Sequence, residues 1–135
     1  MTPDLARQLD TATAFFLAGE RCALELKFRR YDFHSIGAPT IVNHSFGVEL
    51  AMKLIHYIAF GVSTRGHNLE RLFEGLPDEI KANLQHLSEC VADMARYFED
   101  WRYPFEKPFL LGDDEIPRRA FIECYREIGR LRPKA

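Results

Sequence analysis

The sequence predicts an all-α domain, an up-and-down bundle of four long helices and one short helix. Three observations carry this. Apolar residues recur at three- and four-residue spacing in four long windows. Pro and Gly punctuate the chain between those windows, at Gly37 and Pro39, Gly61, Gly75 and Pro77, and Pro104 and Pro117. No stretch of useful length alternates as a strand does, and there is no internal repeat or low-complexity tract. With 135 residues the chain makes one domain, residues 1–135. A domain of this size buries roughly two thirds of the surface its unfolded chain exposes, enough for a core without disulfides or metal.

Helix one is expected from Pro3 to Tyr31. Thr2 serves as N-cap, Pro3 stands at the first helical position and Asp4 in the first turn. Leu5, Leu9, Ala12, Phe16, Ala23, Leu26 and Arg30 keep helical spacing. Gly19 weakens the middle by about 1 kcal/mol relative to Ala. The run Ser35-Ile36-Gly37-Ala38-Pro39 reads as a break, because Pro disfavours helix at the residue before it. Helix two follows from Thr40 to Phe60, with an apolar stripe of Phe46, Leu50, Ala51, Leu54, Ile55 and Ile58. Gly61 ends it.

After the connection from Val62 to His67, Asn68 caps a short helix carrying Leu69, Leu72 and Phe73, and Gly75 stops it. Leu76-Pro77-Asp78-Glu79 opens the next long helix. Its seam of Ile80, Leu84, Leu87, Val91, Met94 and Phe98 runs toward Arg102, where Pro104 forbids continuation. The stretch from Tyr103 to Ile116 reads as an ordered surface loop, rich in Phe105, Phe109, Leu110 and Leu111. Pro117 opens the last helix, with Asp113, Asp114 and Glu115 near its positive end. Phe121, Cys124, Tyr125 and Ile128 face inward, and Gly129 and Pro133 end it.

Composition narrows the function classes. The 47% hydrophobic and 28% charged content is that of an ordinary globule, with Phe frequent at 11 residues. From Pro117 to Ala135 six basic residues stand against two acidic ones, a net of +4, so the remaining 116 residues carry −6 of the total −2. Cations at a helix C-terminus explain this segment most simply; a weak anion-binding patch is the alternative. Cys22, Cys90 and Cys124 are far apart and form no CxxC, so buried free thiols in a reducing cytoplasm are expected. The N-terminus lacks a signal-peptide pattern, and no apolar run approaches the ~18 residues that span a bilayer. A cytoplasmic protein without membrane contact is the expectation.

The five histidines form no HxxxH, HxH or ExxH, so the di-metal site of a helical bundle is not expected, nor any metal or cofactor. There is no glycine-rich phosphate loop and no GxSxG.

Three features appear in order: Glu49 and Lys53 within GVELAMKLIHYIAF, the turn Gly66-His67-x-Leu69 within GHNLERLFEGLP, and the ending Arg102-Tyr103-Pro104. In this order the chain resembles the HEPN family (higher eukaryote and prokaryote nucleotide-binding) from about Gly47 to Pro104. The resemblance implies a helical bundle that dimerises, in prokaryotic toxin–antitoxin or defence settings, with an antitoxin or nucleotidyltransferase as possible partner protein. Many members are metal-independent RNases in which Arg is followed four to six residues later by His on a late helix. Here Arg96 and Arg102 lie in the right region, but no His follows His86. Arg29 and His34 match the spacing at the end of helix one, the wrong place for the family, and helix C-terminal cations explain Arg29 and Arg30. Cleavage through a 2′-OH needs a group that moves protons near neutral pH, and Arg is a poor base.

The expected function is therefore a homodimeric module that binds RNA or nucleotide without cleaving it. Aromatics near the Tyr103–Leu111 loop also suggest the dimer. Glu49, Lys53, His67, Arg96, Arg102 and Tyr103 are the candidate ligand-binding residues. Glu49 and Lys53 are most simply a surface i,i+4 pair, although Lys53 lies one step off the apolar stripe and can reach a groove edge. His67 is most simply a turn-holding hydrogen-bonding residue, with a cleft role beside Lys53 as the functional reading. Arg102 stands between Trp101 and Tyr103 and is suited to stacking or to a phosphate. One alternative is a metal-independent RNase using Arg102 with His67 or Tyr103. Another is a structural or regulatory protein-interaction domain without a nucleic-acid role.

Overall fold

A computed structural model of the chain describes residues 3–29, 33–102 and 115–132, with side chains at 4–24, 39–96 and 115–132. Six helices follow one another, and no strand occurs among the described residues: α1 (Pro3–Arg29), α2 (Phe33–Phe60), α3 (Leu69–Glu74), α4 (Asp78–Asn83), α5 (Gln85–Arg102) and α6 (Glu115–Leu131). The bundle of long helices is the predicted one. The loop from Tyr103, with its aromatics, falls outside the described residues.

Helix α2 is the axis of the core. Val48, Ala51, Met52, Leu54 and Ile55 are fully buried along it. Leu9 and Ala12 of α1, Leu87, Val91 and Met94 of α5, and Ala120, Phe121, Cys124 and Ile128 of α6 close around them. Helix α1 runs antiparallel to α2: a side chain at Gly47 would meet the Ala12 carbonyl, and one at Gly19 would meet the His44 ring. Phe16 of α1 stacks on Phe121 of α6, with ring centroids 4.4 Å apart and planes within 10°. The chain passing from α4 into α5 likewise runs antiparallel to α6, since Asn83 at the end of α4 meets Glu127 while Leu87 of α5 meets Glu123.

Four local expectations are revised. Helix α2 begins at Phe33, so the predicted break at 35–39 is absent and Pro39 lies inside the helix. Pro39 lacks a donor for the turn before it. The Asn43 amide nitrogen donates to the Pro39 carbonyl at 2.7 Å, and Thr40, Ile41, His44 and Ser45 just beyond are buried. Tertiary packing therefore overrides the local signal. Second, the long third helix is divided at Leu84 (φ −109°, ψ 54°). The amides this exposes are capped from another helix: the Glu123 carboxylate of α6 accepts from His86 N at 3.0 Å and Leu87 N at 2.9 Å. An acid at a helix N-terminus also meets the positive end of its dipole.

Third, Tyr125 is exposed, not inward, and the inward position goes to Glu127, held by Arg130 and Asn83. Helix α6 also continues through Gly129 to Leu131. Fourth, Cys22 is only half-buried, although none of the three cysteines is in a disulfide. Burial, with Glu123 nearby, pushes the Cys90 thiol up to about 11 and raises Cys124 further. No described helix is long and apolar enough to cross a membrane.

Candidate functional site

The segment after α2 turns back over that helix. Gly61 and Gly66 adopt φ +72° and +102°, a region that L side chains rarely enter. Gly66 delivers His67, and Asn68 then starts α3 by accepting from Arg71 N at 3.0 Å. Leu69, Leu72 and Phe73 anchor α3 in the core, which fixes the turn's far end. This geometry brings His67 back to Glu49, eighteen residues earlier in the chain.

Glu49 is 3% exposed, so it is not half of a surface pair. Its two carboxylate oxygens lie 3.3 and 3.4 Å from His67 Nδ1. Lys53 Nζ stands 3.6 Å away, one helical turn on. Burying a carboxylate is costly unless it is paired, and here the compensating groups sit at the rim: Lys53 is half-buried, and the His67 side chain is 75% exposed. The i,i+4 spacing was legible, and so was a place for His67 beside Lys53; the burial of Glu49 and its contact with His67 were not.

Lys53 also lines a groove of about 300 Å³ between α1, α2 and the connection that follows α2. Arg7, Gln8 and Thr11 contribute from α1, Leu50 and Lys53 from α2, and Ser63 and Thr64 from the connection. Thr11 Oγ1 donates to the Arg7 carbonyl at 2.9 Å, so its proton is committed. Arg7, Lys53, Gln8, Ser63 and Thr64 remain as donors of the kind that hold a phosphate or carboxylate. Beyond Lys53 on the same side of α2, Phe60 is 51% exposed. Its ring lies 4.7 Å from the His56 ring, and His56 Nδ1 is 3.1 Å from the Val62 carbonyl.

The other candidates separate from this cluster. Arg96 is exposed and pairs with Asp93 at 3.2 Å on its own helix. Arg102 is the last residue of α5, and its side chain, like Tyr103, lies outside the described residues, as do the side chains of Arg29 and His34. His44 is fully buried between helices, with Nε2 3.0 Å from Glu20 Oε1. Glu20 in turn accepts from Arg118 Nε at 2.6 Å, joining α1, α2 and α6 through one carboxylate. No group of three His, Cys, Asp or Glu among the described residues is placed to hold a metal ion.

Sequence reasoning missed Arg7, Gln8, Ser63 and Thr64. Each is an ordinary polar residue in its own segment, and only the antiparallel packing of α1 on α2 joins them. A family model described as HEPN domain matches residues 46–131, more than half of the chain. No curated protein and no solved structure matches it.

Proposed function

The chain belongs to the HEPN domain family, and on that premise we propose that it is a homodimeric binding module for RNA or nucleotide in a prokaryotic defence or toxin–antitoxin type system. It holds its ligand by phosphate and does not cleave it. The observation that carries this reading is the groove in which Lys53 and Arg7 converge with Ser63, Thr64 and Gln8. Cations and neutral donors on one wall suit a phosphate, and the exposed Phe60 ring nearby offers a face for a base. Glu49 holds Lys53 in place from behind. The missing late His supports binding without cleavage. An antitoxin or nucleotidyltransferase is the partner protein this reading allows.

The test is fluorescence anisotropy with a labelled single-stranded RNA and with nucleotides as competitors. Binding is expected, and Arg7→Ala is expected to weaken it while folding is unchanged. Equal affinity in Arg7→Ala and Lys53→Ala would remove the groove from the site and favour a protein-interaction domain without a nucleic-acid role.

A second reading rests on His67. A carboxylate at Nδ1 orients an imidazole, an arrangement used by general bases. Cleavage of RNA that persists in EDTA and is lost in His67→Ala would show a metal-independent RNase. Loss in Arg102→Ala as well would add the Arg that stabilises phosphate charge.

A further inference from the structure

Helix α1 carries two seams. The inward one, Leu9, Ala12, Phe16 and Gly19, packs on α2. The other is Arg7, Asp10, Ala14, Leu17, Arg21 and Leu24, which steps by three and four residues in alternation, and every member is exposed. Leu17 is 54% and Leu24 53% exposed. Ala14, Leu17 and Leu24 bring apolar surface to this face at helical spacing, flanked by charges, and no helix among the described residues covers it. The seam covers about 26 Å of helix at 1.5 Å per residue.

We infer that this outer seam of α1 is the surface on which a second copy of the chain docks, antiparallel, about a twofold axis between Ala14 and Leu17. The inference rests on the homodimer reading above and names the face. The seam is complementary to its own reversal. The twofold axis sets Asp10 opposite the partner's Arg21, Ala14 opposite the partner's Leu17, and Leu24 opposite the partner's Arg7. Acid meets base, small meets large, and a leucine covers the aliphatic stem of an arginine. Asp10 and Arg21 are in no ion pair among the described residues, so both are available. A parallel pairing in register would set Asp10 on Asp10 and Arg21 on Arg21, and like charges across an interface select against it. One helix pair lies at the small end of specific interfaces, so self-association in the micromolar range is expected. Arg7 also lines the groove, so docking brings the partner to the groove's edge without occupying Lys53.

A charge-swap series measured by sedimentation equilibrium tests this, with circular dichroism as the folding control. Asp10→Arg alone and Arg21→Asp alone each set like charges together twice per dimer. Each is expected to raise the dimer dissociation constant roughly tenfold. The double variant Asp10→Arg/Arg21→Asp restores opposite pairs and is expected to return close to the wild-type constant. Leu17→Glu is expected to abolish association while helicity is kept. If the wild type dimerises and neither single swap weakens it, the two copies meet elsewhere: this inference fails while the homodimer reading stands. A double variant as weak as the singles also overturns it. A wild type that stays monomeric at every concentration overturns both, and leaves RNA binding by the groove to be judged separately.

Discussion

Gly19→Ala sets two physical effects against each other, and the structure decides the sign. In an exposed helix interior, Ala in place of Gly gains about 1 kcal/mol of helix propensity. Here the added Cβ would sit 2.4 Å from His44 Cδ2 and 2.7 Å from Nε2. Real Cβ atoms do not approach so closely, so the ring or the helix must move. His44 has little room: it is fully buried, its Nε2 is 3.0 Å from Glu20 Oε1, and its ring centroid is 5.1 Å from that of Phe16. Overpacking in a well-filled core costs roughly 1–3 kcal/mol, and displacing the His44–Glu20–Arg118 contacts adds to it. The expected net loss is about 1–2 kcal/mol in urea denaturation at constant m-value. In a His44→Ala background, itself destabilised, the same substitution should become neutral or stabilising, because the obstruction is gone. A Gly19→Ala variant more stable than wild type by about 1 kcal/mol would refute the packing of α1 on α2 as described.

Glu123→Ala removes the carboxylate that accepts from His86 N and Leu87 N. It should cost about 1–2 kcal/mol in urea denaturation, and Glu123→Gln should cost less, since one acceptor oxygen survives. In the folded protein Cys22 should react with a thiol reagent well before Cys90 and Cys124, whose burial and raised pKa suppress the thiolate; a trace with three equally fast thiols would contradict this. The same shift makes stability fall at alkaline pH. Above about pH 9 the unfolded Cys90 loses its proton while the folded one keeps it until about 11, so the unfolded state gains. Urea midpoints should decline across that window in the wild type and less in Cys90→Ala.

The long helices were legible because their seams are periodic and their ends carry local signals: Asn68 caps α3 in the way its side chain predicts. The failures share a cause. Pro39 reads as a break until the buried residues after it are known, and the division at Leu84 is invisible until Glu123, far along the chain, supplies the cap. The same holds for the site. Glu49 and Lys53 show their one-turn spacing in the sequence, and His67 shows its turn, but neither shows that Glu49 is buried or that the turn brings His67 onto its carboxylate. Arg7, Ser63 and Thr64 give no local sign, because a groove between antiparallel helices joins residues with no sequence relation.

The most direct test of the phosphate-binding groove is the salt dependence of RNA affinity in the wild type and in Arg7→Ala, Lys53→Ala and Arg96→Ala. Each phosphate contact contributes roughly 0.7 to the slope of log affinity against log salt for a single strand. A slope that falls by about that amount in Arg7→Ala and Lys53→Ala, and stays constant in Arg96→Ala, is the predicted result. A wild-type affinity independent of salt, or slopes unchanged in both groove variants, would contradict the account.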